Sequence, residues 1–268
     1  MQAAETARSA GRPTTDLTVY DLYLRAAALH RASYPEALCL LAEAIERDPR
    51  YAPALGLAAV LSFPMLNDGL SEDRKRDQAR TADFARQALE MGGDDPGTLV
   101  DAAHALASQG EDIGAMLALV DRALAINPNF ARGWHVAGVL RNWAGQPDNA
   151  IDHLETALRL SPRARVGTTL HQIGMAHFFA RRFHLAEPKL LLAIQDDPRL
   201  PMTYRLLAAC YAHTGRLEEA RSVISRLRTV AAEVIPPWMT LPQNRTLRNP
   251  EHVELIVSGL RLALAEEA

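Results

Sequence analysis

Residues 131–164 hold the feature that most restricts what this chain can fold into. The stretch combines a bulky and a small residue four apart, a glycine, two alanines seven apart and a closing proline, namely Trp134, Gly138, Gly145, Ala150, Ala157 and Pro162. Spacings of four and seven place side chains on one face of an α-helix, and a glycine between two such patterns favours a turn. The stretch therefore predicts two helices that pack closely through small residues.

This pattern resembles the tetratricopeptide repeat (TPR), a helix–turn–helix unit of 34 residues. Pro162 follows Pro128 by 34 positions, and Pro198 follows Pro162 by 36, so the neighbouring stretches share the period apart from a short insertion. We therefore expect an all-α chain, a right-handed α-solenoid of about six TPR units with a C-terminal capping helix. The expected units are residues 16–50, 51–96, 97–130, 131–164, 167–200 and 201–234.

The two ends of the chain fall outside the repeats. Residues 1–15 lack periodicity and are expected to be a flexible lead-in. Residues 235–268 are expected to form a proline loop and then the capping helix, which begins with the cap and first-turn proline at Asn249 and Pro250. Trp238 in that loop is a candidate to fold back into the groove as an internal pseudo-ligand.

One histidine and two cysteines inside the repeats lead to further predictions. His104 takes the place of the usual small residue in the third unit, which indicates altered packing or a register shifted by a few residues. Cys39 and Cys210 each lie in an apolar helical stretch, so we expect two buried, reduced thiols.

Composition argues against several classes of partner. The net charge is −3 and arginines alternate with acids, so the sequence shows no basic patch for nucleic acid. No apolar run reaches the ~20 residues of a membrane span, and the N-terminus lacks the apolar core of a signal peptide. We therefore expect a cytoplasmic protein that binds neither nucleic acid nor membrane.

Motifs that carry catalysis are missing from the sequence. It contains no HExxH, Walker loop, GxSxG or GxGxxG pattern. His171 and His177 are six residues apart, which puts them on different faces of a helix rather than on one metal site. We expect a chain with no enzymatic activity, no metal and no cofactor.

The candidate binding site is the concave wall lined by the first helices of the fourth to sixth units. Its apolar anchors and polar groups are typical of a peptide-recognition surface. Phe178 and Trp143 have a second interpretation, in which they pack between repeats or against the C-terminal segment. His135, His171 and Arg205 replace the Lys–Asn set of a carboxylate clamp, which disfavours that mode. The candidate groove residues are Arg132, His135, Asn142, Trp143, His171, Met175, Phe178, Phe179, Arg205 and His213.

The order of segments also resembles the TPR region that follows the catalytic domain in bacterial class III adenylate/guanylate cyclases of the rhizobial type. The resemblance rests mainly on the start TTDLTVYDLYLR and the ending RNPE, and also on stretches at residues 142–147, 174–180, 206–213 and 259–261. It implies a regulatory or scaffolding module. Only thirteen residues precede the start, so we expect a separated C-terminal region or a stand-alone relative, without cyclase activity.

Three functional hypotheses follow. The first is a non-catalytic scaffold that binds a peptide or partner protein in the concave groove. The second is a signalling module that docks on a cyclase catalytic domain or another regulator. The third is self-association into a homo-oligomer through the apolar first helix of the second unit or through the C-terminal helix.

Overall fold

A computed structural model describes residues 17–29, 33–67, 71, 73–163, 166–231, 234 and 245–265. Within these residues the chain forms thirteen α-helices and no strand, so the predicted all-α class is confirmed. The predicted lead-in and the proline loop with Trp238 lie outside the described residues. The helices are α1 (Leu17–Ala28), α2 (Tyr34–Arg47), α3 (Ala52–Asn67), α4 (Arg74–Gly92), α5 (Pro96–Gln109), α6 (Ile113–Ile126), α7 (Ala131–Trp143), α8 (Pro147–Leu160), α9 (Val166–Phe179), α10 (Phe183–Asp196), α11 (Pro201–His213), α12 (Leu217–Val230) and α13 (Pro250–Leu264).

Consecutive helices pair as hairpins, which is the TPR-type arrangement of the α-solenoid class. The chain divides into two compact units, residues 1–136 (unit 1) and 137–268 (unit 2), and the boundary falls inside α7. None of the helices in the described part of the chain is long and apolar enough to cross a bilayer.

Side-chain caps fix where several helices begin. The carboxylates of Asp73, Asp95 and Asp112 each accept a hydrogen bond from the backbone N–H three residues on, at 3.0, 2.7 and 2.7 Å. Asn249 caps α13 by accepting from the N–H of Glu251 at 2.9 Å. Such bonds satisfy N–H groups that have no partner inside the helix. The start predicted at Asn249 is therefore confirmed.

The four turns from α5/α6 to α11/α12 share one left-handed residue. Gly110, Gly145 and Gly215 have φ of 99°, 82° and 77°. Arg181 takes the same conformation in the fifth unit with φ 55°, although a side chain disfavours it. Counting back from these residues shows which positions on the preceding first helices correspond to one another.

The register corrects the interpretation of the third unit. Gly110 and Gly145 are 35 residues apart, so the fully buried Ala103, not His104, corresponds to Gly138. His104 lies one position later, half-buried, with its ring centroid 6.0 Å from that of Phe63. Of the two explanations given for His104, the shifted register is the correct one, and the shift is one residue.

Unit 1 has a core in which α1, α2 and α3 meet. Leucine, valine and alanine side chains on one stripe of each helix form it, including Val19, Leu22, Ala37, Leu41 and Ala58. Cys39 stands two residues after the buried Ala37 and therefore points away from that stripe. It is exposed, so the prediction of a buried thiol is wrong for Cys39, whereas Cys210 in unit 2 is buried.

Unit 2 repeats one close helix crossing. A Cβ atom on Gly138 would lie 2.8 Å from Cδ2 of Leu154 on α8. A Cβ on Gly174, in α9, would lie 2.7 Å from Cδ2 of Leu190 on α10. These two first helices therefore approach their partners through a glycine that receives a buried leucine. These crossings hold the first helices in place along unit 2.

Candidate partner-binding face

The predicted groove residues are divided between the two units. Arg132 and His135 lie in unit 1, and the others lie in unit 2. Arg132 makes a two-pronged ion pair with Asp101, whose side chain is nearly buried, and its second N–H group lies 2.9 Å from Oδ2. His135 is half-buried. Arg132 therefore already has a carboxylate partner within its own unit.

Two of the predicted residues connect neighbouring first helices. Asn142 is fully buried, and its side-chain N–H group donates to the backbone oxygen of Gln172 at 2.9 Å, which joins α7 to α9. His171 is buried and shares a 3.0 Å hydrogen bond with the hydroxyl of Thr203, which joins α9 to α11. Both contacts are internal and satisfy buried polar groups.

An aromatic cluster closes the C-terminal ends of α9 and α11. Phe178 is fully buried, with ring centroids 6.0 Å from Phe179 and 5.5 Å from Phe183. The ring of His213 stacks on Phe183 at 5.4 Å with an interplanar angle of 12°. Met175, one turn before Phe179, is buried as well. This cluster gives the C-terminal ends of α9 and α11 an apolar, aromatic core.

Arg205 also forms a hydrogen bond within the protein. Its side chain is buried on α11, and Nε donates to the backbone oxygen of Val234 at 2.7 Å. The guanidinium thus bonds to the chain segment that follows α12.

The C-terminal segment contacts the remaining predicted positions. The N–H of Arg248 donates to the backbone oxygen of Trp143 at 2.8 Å. The ring of His252 stacks on Phe179 with centroids 4.1 Å apart and an interplanar angle of 10°. Nε2 of His213 donates to the backbone oxygen of Leu255 at 2.8 Å. We call the surface that receives this segment the docking wall, and its residues are Trp143, Gly145, Phe179, Ala209 and His213.

Gly259 marks the closest approach of α13 to the docking wall. A Cβ atom built there would lie 2.7 Å from Cβ of Ala209 and 2.8 Å from Nε2 of His213. Gly259 therefore meets the last turn of α11 at both Ala209 and His213. The predicted capping helix forms and packs on α11 and α12.

The burial of α13 is broader than that of an ordinary surface helix. Its buried positions span about 200° of the helix circumference at ~100° per residue. The buried residues of α12, for comparison, span only about 100°. An arc of this width indicates a helix that sits in a groove. The buried residues of α13 are His252, Val253, Leu255, Ile256, Val257, Gly259, Leu260 and Ala263.

The electrostatics of the docking wall favour uncharged groups. Burial lowers the pKa of His252, and the nearby Glu251 opposes the shift only in part. His252 is therefore neutral at pH 7 and packs as a flat apolar ring. Among the described residues, no group of three or more His, Cys, Asp or Glu side chains is arranged to hold a metal ion. The arrangement is suited to holding an amphipathic segment.

The sequence contains a signal for part of this site. Gly259 lies between Ile256 and Leu260 on the apolar face of the last helix. A glycine on an apolar helix face indicates a place where another backbone comes close. Ala209, also small, lies on α11 opposite it. Gly259 indicates a close helix contact from the sequence, and the structure shows that α11 makes it.

Comparison with known proteins supports the fold. No protein-family model and no curated protein matches the chain. A chain of the APC/C hetero-tetramer Cut9–Hcn1 has 14% identity and a TM-score of 0.63 over 87% of this chain and 40% of its own length. Human IFIT1, as a dimer with PPP-AAAA, has 20% identity and a TM-score of 0.61 over 74% of this chain and 46% of its own length. PilF of Pseudomonas aeruginosa has 17% identity and a TM-score of 0.53, with 80% of this chain and 92% of its own length covered.

These similarities show the TPR-type α-solenoid fold and nothing finer. This chain spans less than half the length of the Cut9–Hcn1 and IFIT1 chains. The resemblance to cyclase TPR regions rests on the sequence motifs alone.

Proposed function

We propose that the chain is a non-catalytic, cytoplasmic scaffold that binds a protein or peptide partner along the inward positions of its first helices. The observation that carries the proposal is the docking wall, which already holds an amphipathic helix through a stacked ring, apolar contacts and a close glycine. A surface that accepts one such segment has the shape and chemistry to accept another. The Cut9–Hcn1 hetero-tetramer adds support, because a similar fold occurs there in a protein complex.

Unit 1 has candidate binding residues of its own at the inward positions of its first helices. His104 on α5 and His135 on α7 are both half-buried, so part of each imidazole remains accessible. Histidine offers a ring for stacking together with a donor and an acceptor, a combination that suits peptide recognition. The regulatory hypothesis, in which the partner is a cyclase domain, is a special case of this proposal.

The test is partner capture with matched variants of the full chain. The inward variants are His104→Ala with His135→Ala in unit 1, and Phe179→Ala with His213→Ala in unit 2. The control is Ile126→Ala with Leu192→Ala on the second helices α6 and α10, where these apolar side chains are 48% and 46% exposed. Circular dichroism reports whether each variant keeps its helix content.

We expect proteins captured by the unchanged chain to be recovered by the control and lost from at least one inward variant. Quantitative mass spectrometry measures the amount of each captured protein recovered by a variant relative to the unchanged chain. Equal capture by both inward variants, together with loss from the control, would place binding on the second helices and reject the proposal.

A further inference from the structure

We infer that the docking wall selects an amphipathic α-helix as its partner, and that α13 is a displaceable occupant of that site. The inference rests on the proposed scaffold function and adds the class of ligand. It starts from the course of the C-terminal segment, which contacts α7 at Arg248, α9 at His252 and α11 at Leu255. A repeat helix contacts only its neighbouring repeats, so a segment that reaches three successive first helices is seated differently from a repeat helix.

The contacts define what a partner helix must carry. His252 stacks on Phe179, and Gly259, seven residues later, meets Ala209. Seven residues are close to two helical turns, so both groups lie on one face. The partner is therefore a helix with a flat ring at one position and glycine seven residues later. Apolar residues at the places of Leu255 and Ile256 complete the buried face.

The outer face of α13 shows which positions are free to vary. Glu251, Glu254 and Arg261 are exposed, and Leu262 is 46% exposed. Their side chains do not determine the fit to the docking wall. A partner helix can thus carry any charges there, and its recognition depends on the buried arc.

Tethering explains why α13 holds the site in the free protein. A ligand attached to its own receptor has an effective concentration on the order of mM. A free peptide of equal intrinsic affinity must approach about mM concentration to displace it. Weakening α13 within the chain should therefore raise the apparent affinity for a free copy of the same helix.

The test uses Gly259→Leu in the full chain. The Cβ contact with Cα of Ala209 is 2.9 Å, and a backbone atom cannot move aside as a side chain can. The probe is a fluorescein-labelled peptide of residues 247–265, followed by fluorescence anisotropy. We expect the variant to bind this peptide at least tenfold more tightly than the unchanged chain. The same peptide carrying Gly259→Leu should bind neither protein.

The matched control is Gly114→Leu, an exposed helical glycine on α6 in unit 1. It should bind the peptide no better than the unchanged chain. If the Gly259→Leu chain keeps its helix content but does not bind the peptide, α13 is a fixed part of the fold. That result would overturn the inference. If such a chain sediments as a dimer, a second copy's α13 is the occupant, which also overturns it.

A second measurement does not depend on the variant folding. In the unchanged chain, backbone amides of α13 should exchange with deuterium at least tenfold faster than those of α11, because a displaceable helix opens locally. Equal exchange rates would mean that the two helices open only together and would overturn the inference. Partner capture that depends on inward residues, alongside a peptide that does not bind, would leave the scaffold function standing without this ligand class.

Discussion

Gly138 on α7 lies where α7 crosses α8, with no room for a methyl group. A Cβ atom there would be 2.8 Å from Cδ2 of Leu154 and 3.1 Å from the backbone oxygen of Ala150. Leu154 is fully buried, so its side chain cannot swing into solvent. Overpacking of this kind costs about 1–3 kcal/mol, and the higher helix propensity of alanine offsets about 1 kcal/mol. Because backbone bounds the site, we expect Gly138→Ala to lower the free energy of unfolding by about 1–2 kcal/mol.

A double-mutant cycle tests the physical cause. Leu154→Ala alone should lower the free energy of unfolding by about 2–5 kcal/mol, because it leaves a cavity. In the double variant the new methyl group has room, so the combined loss should be at least about 1 kcal/mol smaller than the sum of the two single losses. Urea unfolding followed by circular dichroism measures all three. The control Gly114→Ala, on the exposed start of α6, should change stability by no more than about 0.5 kcal/mol. Additive losses, or a Gly138→Ala effect as small as the control's, would refute the reasoning.

Three further predictions concern charge and backbone strain. Arg181→Gly should raise the thermal midpoint by about 2–4 °C in calorimetry, because glycine adopts φ 55° without strain. Arg132→Met should lower the free energy of urea unfolding by about 3 kcal/mol, since it leaves the Asp101 carboxylate buried and unpaired, and Asp101→Asn in the same chain should restore part of that loss. Burial lowers the pKa of His252, so the unfolded chain binds the proton first, and stability should fall as the pH drops below about 6.5 towards the folded-state pKa. Thermal melts of His252→Phe, which keeps a ring on Phe179, should show a weaker dependence on pH in this range, and an unchanged dependence would contradict the assignment.

Helix positions could be predicted from the sequence because each helix has local marks. Asn249 was predicted to cap the last helix from its residue type, and it makes the expected cap bond. The small residue Gly138 marked a close helix crossing in the fourth unit. These features act over a few residues, so they are readable without the rest of the chain.

Errors arose where a short shift changes which face a residue occupies. Displacing the third unit by one residue rotates every assignment on α5 by about 100°, which put His104 where Ala103 lies. For Cys39 the local stripe of Ala37, Leu41 and Ala44 was visible, and it places Cys39 on the opposite side of α2. The general tendency of cysteine towards burial outweighed that specific pattern in the prediction.

The position of α13 was the part of the candidate site that local pattern could not determine. Its apolar residues predict an amphipathic helix, but the same stripe fits either an end cap or an inward groove. The choice depends on contacts between residues far apart in sequence, such as His252 with Phe179 and Gly259 with Ala209. The groove residues gave the complementary signal, since Phe179 and His213 are apolar or aromatic where a free face would favour polar groups. The stacked ring of His252 and the close approach of Gly259 account for the apolar character of the docking wall, because α13 covers those positions.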